Sequence, residues 1–176
     1  MIDENDLSCE KKYFYEKQGE KTAATLLRKN IHAVYASTKQ EALDAVISLI
    51  PEDVRVVRGD SMSVDQIGVV EELKRRNRNT LIDPFERDAD GYTILQGEQR
   101  LRAQKEAFTA DVFITGANAI TLDGKIVSTD AVGNRVAPVI FGPDKVILVI
   151  GANKIVRDVE SAYRRIHETA APRSEE

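Results

Sequence analysis

The chain reads as a three-layer α/β protein with a mainly parallel sheet and an inserted antiparallel hairpin. Three observations carry this. Apolar β-type runs alternate with amphipathic helical stretches in the first half, such runs crowd together in the second, and an Asp-Gly pair flanked by two of them marks a hairpin. The 176 residues, 42% apolar and 31% charged, suffice for one ordinary domain and leave no room for two full-sized ones. A chain of this length buries roughly 70% of its unfolded surface, so its core needs no staple.

Residues 10–29 have helical composition, interrupted by Gly19, with Leu26 and Leu27 expected inside. Ile31 to Ala36 reads as a short strand. Thr38-Lys39-Gln40-Glu41 is a capping box, in which the Thr hydroxyl accepts from a backbone N–H while Glu41 reaches back. The helix it opens carries Ala42, Leu43, Val46, Ile47 and Ile50 on one face and stops at Pro51. Val54 to Val57 is a second strand. Ser63-Val64-Asp65-Gln66 is a second capping box, and the helix after it buries Val64, Ile67, Val70 and Leu73. Lys74-Arg75-Arg76 ends that helix, where cations suit the dipole. Thr80 to Ile82 is a brief strand, Asp83 to Gly97 an irregular excursion, and Glu98 to Phe108 a charged helix.

Val112 to Thr115 is apolar enough to be buried on both sheet faces. Ile120–Leu122 and Lys125–Val127 flank Asp123-Gly124 as a hairpin. Val136–Phe141 and Lys145–Ile150 read as strands joined by Gly142-Pro143-Asp144. A closing helix, about Lys154 to Thr169, is expected to bury Ile155, Val156, Val159, Ala162, Tyr163 and Ile166.

Composition excludes several classes. Lys and Arg number 25 against 29 Asp and Glu, a formal charge of −4, whereas a dedicated nucleic-acid binder needs a strong basic field. Cys9 stands alone and makes no internal disulfide or cysteine-rich metal site. His32 and His167 have no neighbouring ligands, so no metal is assigned. Apolar runs fall far short of the ~20 residues of a membrane span. The first six residues are acidic where a signal peptide is basic and then apolar, so a cytoplasmic location is expected.

Four junctions carry candidate chemistry. Arg58-Gly59-Asp60-Ser61-Met62-Ser63 follows a strand and opens a helix, the place where α/β sheets bind anions. Gly59 permits close approach, and Ser61 and Ser63 add hydroxyls; a plain turn capped by Ser63 explains the same residues, and the lysine of a P-loop is missing. Arg58-Gly59-Asp60 also spells an adhesion tripeptide, here a coincidence. Gly116 and Asn118 follow a buried strand, where Asn118 serves a ligand or the loop backbone equally well. In the loop Ser128–Arg135, Asp130, Asn134 and Arg135 form a polar group; Arg135 clamps an anion or pairs with Asp130. At Gly151-Ala152-Asn153-Lys154, Asn153 is a natural N-cap and Lys154 either faces an anion or is merely exposed. Asp123 belongs to the hairpin turn, with Asp130 the other carboxylate available for acid–base work.

Together these stretches resemble the LUD (lactate utilisation) domain family, and within it the lactate utilisation protein C group. The signature stretches are Asp111–Thr121, Gly133-Asn134-Arg135-Val136-Ala137, Phe141–Val146 and Gly151–Val156, with Gly59-Asp60-Ser61-Met62-Ser63 as the earlier Gly/Ser loop. The likeness runs from Leu26 to Pro172, closest after Ala110, which implies an extension over residues 1–25, the domain over 26–172 and a tail over 173–176. It implies a fold like ribose-5-phosphate isomerase and the CoA transferases, whose phosphorylated or CoA-linked substrates bind at strand carboxyl ends. It also implies a part in oxidising L-lactate to pyruvate with iron–sulfur partner proteins.

This chain departs from the family in three places. Gln66 stands where many members have an acidic residue, Ala131-Val132 follows Asp130 where a glycine is expected, and Ala170-Ala171-Pro172 leads into no cysteines. With no flavin or nicotinamide fingerprint either, no cofactor is expected in this chain, and iron–sulfur clusters are expected only in partners. The leading expectation is therefore a non-redox subunit or accessory factor holding an anionic small molecule with Ser61, Asn118, Arg135 and Lys154. The alternatives are an independent enzyme acting on a sugar phosphate or CoA thioester, and a metabolite-sensing regulator.

Overall fold

The computed structural model describes residues 7–174; the acidic start at 1–6 and the end of the expected tail, 175–176, lie outside it. In chain order the elements are α1 (Ser8–Arg28), α2 (Lys39–Ser48), β1 (Arg55–Arg58), α3 (Met62–Gln66), α4 (Val69–Arg76), β2 (Thr80–Ile82), α5 (Gly97–Lys105), β3 (Val112–Thr115), β4 (Ala119–Thr121), β5 (Ile126–Val127), α6 (Val136–Ile140), β6 (Lys145–Leu148), β7 (Ile155–Val156), α7 (Val159–Arg165) and α8 (Ala171–Ser174). They divide into two compact units, one from residues 38–117 and 128–149, the other from residues up to 37, 118–127 and 150 onward.

The first unit holds a four-stranded, wholly parallel sheet in the order β2-β1-β3-β6. Side chains alternate across it as the pleat requires. Val56, Val112, Ile114 and Ile147 pack against Val46 and Ile50 of the α2 region and Val64, Val69, Val70 and Leu73 of α3 and α4. Val57 and Phe113 face the other way, onto Ala107, Ala110 and Val139. Helical segments thus cover both faces, the three-layer arrangement expected, and this is why the middle of each strand is apolar.

Three local expectations change here. The helix after β1 is capped by Ser61, whose hydroxyl accepts from Val64 N–H at 3.4 Å, and not by Ser63. It is also broken in two, because Gly68 takes φ +74° and starts α4 afresh. Val136–Phe141 is not a strand but the short helix α6 followed by an extended Phe141. The Asp130 carboxylate accepts backbone N–H groups of Gly133, Arg135 and Val136, supplying the anion that a helix start needs, and Pro138 fits a first turn.

The second unit holds the sheet β5-β4-β7, antiparallel between β4 and β5 and parallel between β4 and β7. The hairpin at Asp123-Gly124 forms as expected, with Gly124 at φ +79° and its N–H on the Thr121 carbonyl at 2.8 Å. It belongs to this separate sheet and is not inserted in the parallel one. α1 runs straight through Gly19, whose missing side chain leaves room for the Tyr35 ring. Leu26 is buried but Leu27 is exposed. Asn30, at φ +59°, ends α1, with Ile31 N–H returning to the Leu26 carbonyl at 3.0 Å. Residues 31–36 form no strand and serve instead to carry Tyr35 onto Gly19.

The closing helix is likewise shorter than expected. A 3₁₀ turn (Ala152–Lys154) leads into β7, and α7 starts only after Asp158, whose carboxylate caps Ser161 N–H at 2.8 Å. Asn153 therefore caps no α-helix. Ala162 and Ile166 are buried, Tyr163 is exposed, and a π-turn at Ile166–Ala170 precedes α8.

Candidate functional site

The parallel sheet changes direction between β1 and β3: the chain leaves β1 for β2 on one side and returns at β3 on the other. Such a switch point, at the carboxyl ends of its strands, is where open α/β sheets hold ligands. Two turns meet there, Gly59-Asp60-Ser61 after β1 and Gly116 after β3, with Gly59 N–H extending the ladder to the Ile114 carbonyl at 2.8 Å. A Cβ on Gly59 would come within 2.6 Å of Thr115 Oγ1 and 2.7 Å of Phe113 Cζ, and one on Gly116 within 2.5 Å of Ser61 Oγ. Both glycines are thus required by side chains of the chain itself. Ser61, Ser63 and Thr115 are buried, and the Thr115 hydroxyl has no hydrogen-bond partner.

A set of charges that the sequence did not flag closes one side of this turn. The Arg58 side chain, only 7% exposed, bonds Asp83 (5% exposed) at 3.1 Å and also pairs with Asp65 of α3. It lies over the Phe85 ring at 5.6 Å, and Arg100 lies over the same ring at 5.1 Å. Enclosed in this way, Arg58 cannot be presented as part of an adhesion tripeptide. Burial raises the Asp65 carboxyl above its ordinary value although Arg58 pulls the other way, with Asp60 and Asp83 adding to the rise. The available signal was an arginine directly after the apolar pair Val56-Val57, with carboxylates seven and 25 residues on.

A second charged group belongs to the loop 128–135. Burial works to raise the Asp130 carboxyl, but three backbone N–H bonds hold it below its ordinary value. Arg135 donates to the Thr129 carbonyl; burial lowers the guanidinium against the pull of Asp130 and Asp60. Asp60, in the turn after β1, is near enough for its charge to act on Arg135. Asn134 is half-buried in the same loop. A surface cavity of 310 Å³ adjoins it, lined by Ser128, Thr129, Asp130, Val136 and Ile140 among others.

Among the sequence candidates, Gly59, Asp60, Ser61, Ser63, Gly116, Asp130, Asn134 and Arg135 therefore belong to the first unit. Asn118, Asp123 and Lys154 belong to the second. There β4 and β7 start side by side, Ile120 opposite Ile155, just after Asn118 and Lys154 respectively. Arg165 of α7 donates to the carbonyls of both Asn118 and Asn153 and ties the two strand starts together. Asp123 bonds Lys125 at 2.8 Å and the Thr121 hydroxyl, and these partners keep its carboxyl below the ordinary range. Among the described residues no group of three or more His, Cys, Asp or Glu is placed to hold a metal, and no helix is long and apolar enough to cross a membrane.

The fold defines an α/β protein with a parallel four-stranded sheet and a second, mixed one. The LUD domain family model matches residues 19–176, so the chain belongs to the LUD domain family, which is associated with lactate utilisation. No curated protein and no solved structure matched the chain.

Proposed function

We propose that the protein takes part in the oxidation of L-lactate to pyruvate in the cytoplasm as a non-redox subunit or accessory factor, and that it holds a small anionic molecule at the switch point. Electron-carrying iron–sulfur clusters then belong to its partners. Family membership supports the pathway. The observation that supports the site is the half-buried Arg135 guanidinium, which is held at the Thr129 carbonyl and feels the charge of Asp60, two residues beyond β1. A ligand carboxylate or phosphate binds this guanidinium through charge-assisted hydrogen bonds of the bidentate kind that arginine favours. Ser61, which accepts a bond at α3, still has its hydroxyl proton to donate.

A thermal-shift series with L-lactate, pyruvate, a sugar phosphate and CoA tests this reading. A specific ligand at a hundred times its Kd adds about 2.7 kcal/mol to apparent stability. Arg135→Ala is expected to remove most of that gain, and a shift of undiminished size in the variant excludes the clamp. Co-purification with iron–sulfur proteins supports the subunit role.

One observation favours an independent enzyme acting on a sugar phosphate or CoA thioester. Proton transfer at neutral pH wants a carboxyl raised toward neutrality. Asp65 is raised, whereas Asp130 and Asp123 are lowered. Turnover by the isolated protein, abolished in Asp65→Asn, would select this second reading.

A further inference from the structure

The excursion between β2 and α5 has a fixed root and a self-contained tip. Its root is tied to β1 by the buried Arg58–Asp83 pair, and Asp83 also accepts Phe85 N–H at 2.9 Å. Phe85 and Pro84 are buried, and the guanidinium groups of Arg58 and Arg100 both lie on the Phe85 ring, which couples the root to α5 as well. Glu86 is held by Lys74 of α4 at 2.6 Å.

Beyond that point the bonds turn inward. Asp88 Oδ1 accepts Asp90 N–H and Tyr92 N–H, Asp88 N–H donates to the Tyr92 carbonyl at 2.8 Å, and Arg87 bridges Thr93. Ile94 N–H returns to the Glu86 carbonyl at 2.9 Å. The tip therefore moves as one piece or not at all. It carries two apolar side chains in solvent, Tyr92 (70% exposed) and Ile94 (54% exposed). Its far end is Gly97, at φ +52° with open space around it, a position able to absorb a backbone rotation.

We infer that residues 87–96 are a lid for the turns at the carboxyl ends of β1 and β3, closing about Glu86 and Gly97 so that Tyr92 and Ile94 cover an anion bound there. The excursion leaves the sheet from the carboxyl end of β2, next to β1, and its root bonds to Arg58, the residue directly before the Gly59-Asp60-Ser61 turn. Closure buries the two apolar side chains and removes water from around Arg135, where a weakly screened charge pair gains strength. The lid rests on the proposed reading of the crevice.

The sequence contains no tryptophan, so Tyr92→Trp in the full chain places a single indole on the tip. Calorimetry first establishes which of L-lactate, pyruvate, inorganic phosphate and CoA binds the wild-type protein. Saturating the variant with that probe is expected to shift its emission to the blue and to weaken acrylamide quenching. Tyr92→Ala is expected to weaken binding several-fold while the melting temperature of the free protein stays unchanged. A probe that binds by calorimetry yet leaves the indole as quenchable as in the free protein overturns the lid and spares the site. Should none of the four bind, both fall. Ile94→Trp repeats the measurement from the second tip position if the first variant folds poorly.

Discussion

In the parallel sheet β2-β1-β3-β6, strands come with helices from the same stretch of chain, and both faces are covered. In the mixed sheet β5-β4-β7, only the hairpin is local: β7 arrives from beyond residue 150, and α1 belongs to the opposite end of the sequence. The first arrangement writes itself into composition, because a strand buried on both sides must be apolar throughout. The second does not, because a two-residue strand such as Ile155-Val156 is apolar for a helix as well as for a sheet.

Truncation of each core gives the largest expected effect. Phe113→Ala in the parallel sheet is expected to cost about 3–5 kcal/mol and Ile166→Ala in the other unit about 2–5 kcal/mol, read by urea unfolding. One transition shifted by both variants would mean that the units unfold together. Two transitions, each moved by only one variant, would sharpen the division between them.

Glycines come next. Gly59→Ala pushes a methyl into Thr115 and Phe113 and is expected to cost about 1–3 kcal/mol. Gly124→Ala imposes a left-handed backbone on an alanine, at about 1–2 kcal/mol. If Gly59→Ala proves neutral, the junction of β1 and β3 is looser than its geometry.

Asp130→Ala removes the three-bond cap of α6, an expected loss of about 2 kcal/mol at neutral pH. The sign with acid follows from the lowered carboxyl: its contribution is complete above the unfolded value, near 3.9, and fades as pH falls through the lower folded value. The gap between wild type and variant should therefore start to narrow near pH ~4 and close only once the pH is below the lowered folded value. A gap that persists there would assign the loss to packing. Smallest is Thr115→Val, expected to lie within about 0.5 kcal/mol of wild type or to gain slightly, since a buried hydroxyl without a partner is removed. A loss clearly above 1 kcal/mol would show that this hydroxyl holds a water molecule or ligand.

Much of the parallel sheet was legible: β1, β2, β3, β6 and the Thr38 cap fall where apolar runs and the capping box place them, within a residue or two. Val136–Phe141 misled because its β-branched composition suits a strand, while the deciding group, Asp130, sits six residues upstream of Val136. At the candidate site, the Gly59–Ser61 turn was visible as a strand–helix junction. The Arg58–Asp65–Asp83 set was not, since an ion pair between the ends of two strands leaves no periodic trace.

Sequence alone determined the α/β class, the parallel strands and the Asp123-Gly124 hairpin, because burial on two faces and a two-residue turn are local demands on residue type. Tertiary structure decided that the hairpin pairs with β7 in a sheet of its own, that residues 31–36 join no strand and that Arg58 is locked beneath the β1 turn. These outcomes depend on which remote backbone or carboxylate arrives alongside. Hydrogen-bond partners and counter-ions are selected by position in space, on which a side chain's own character places only a weak constraint.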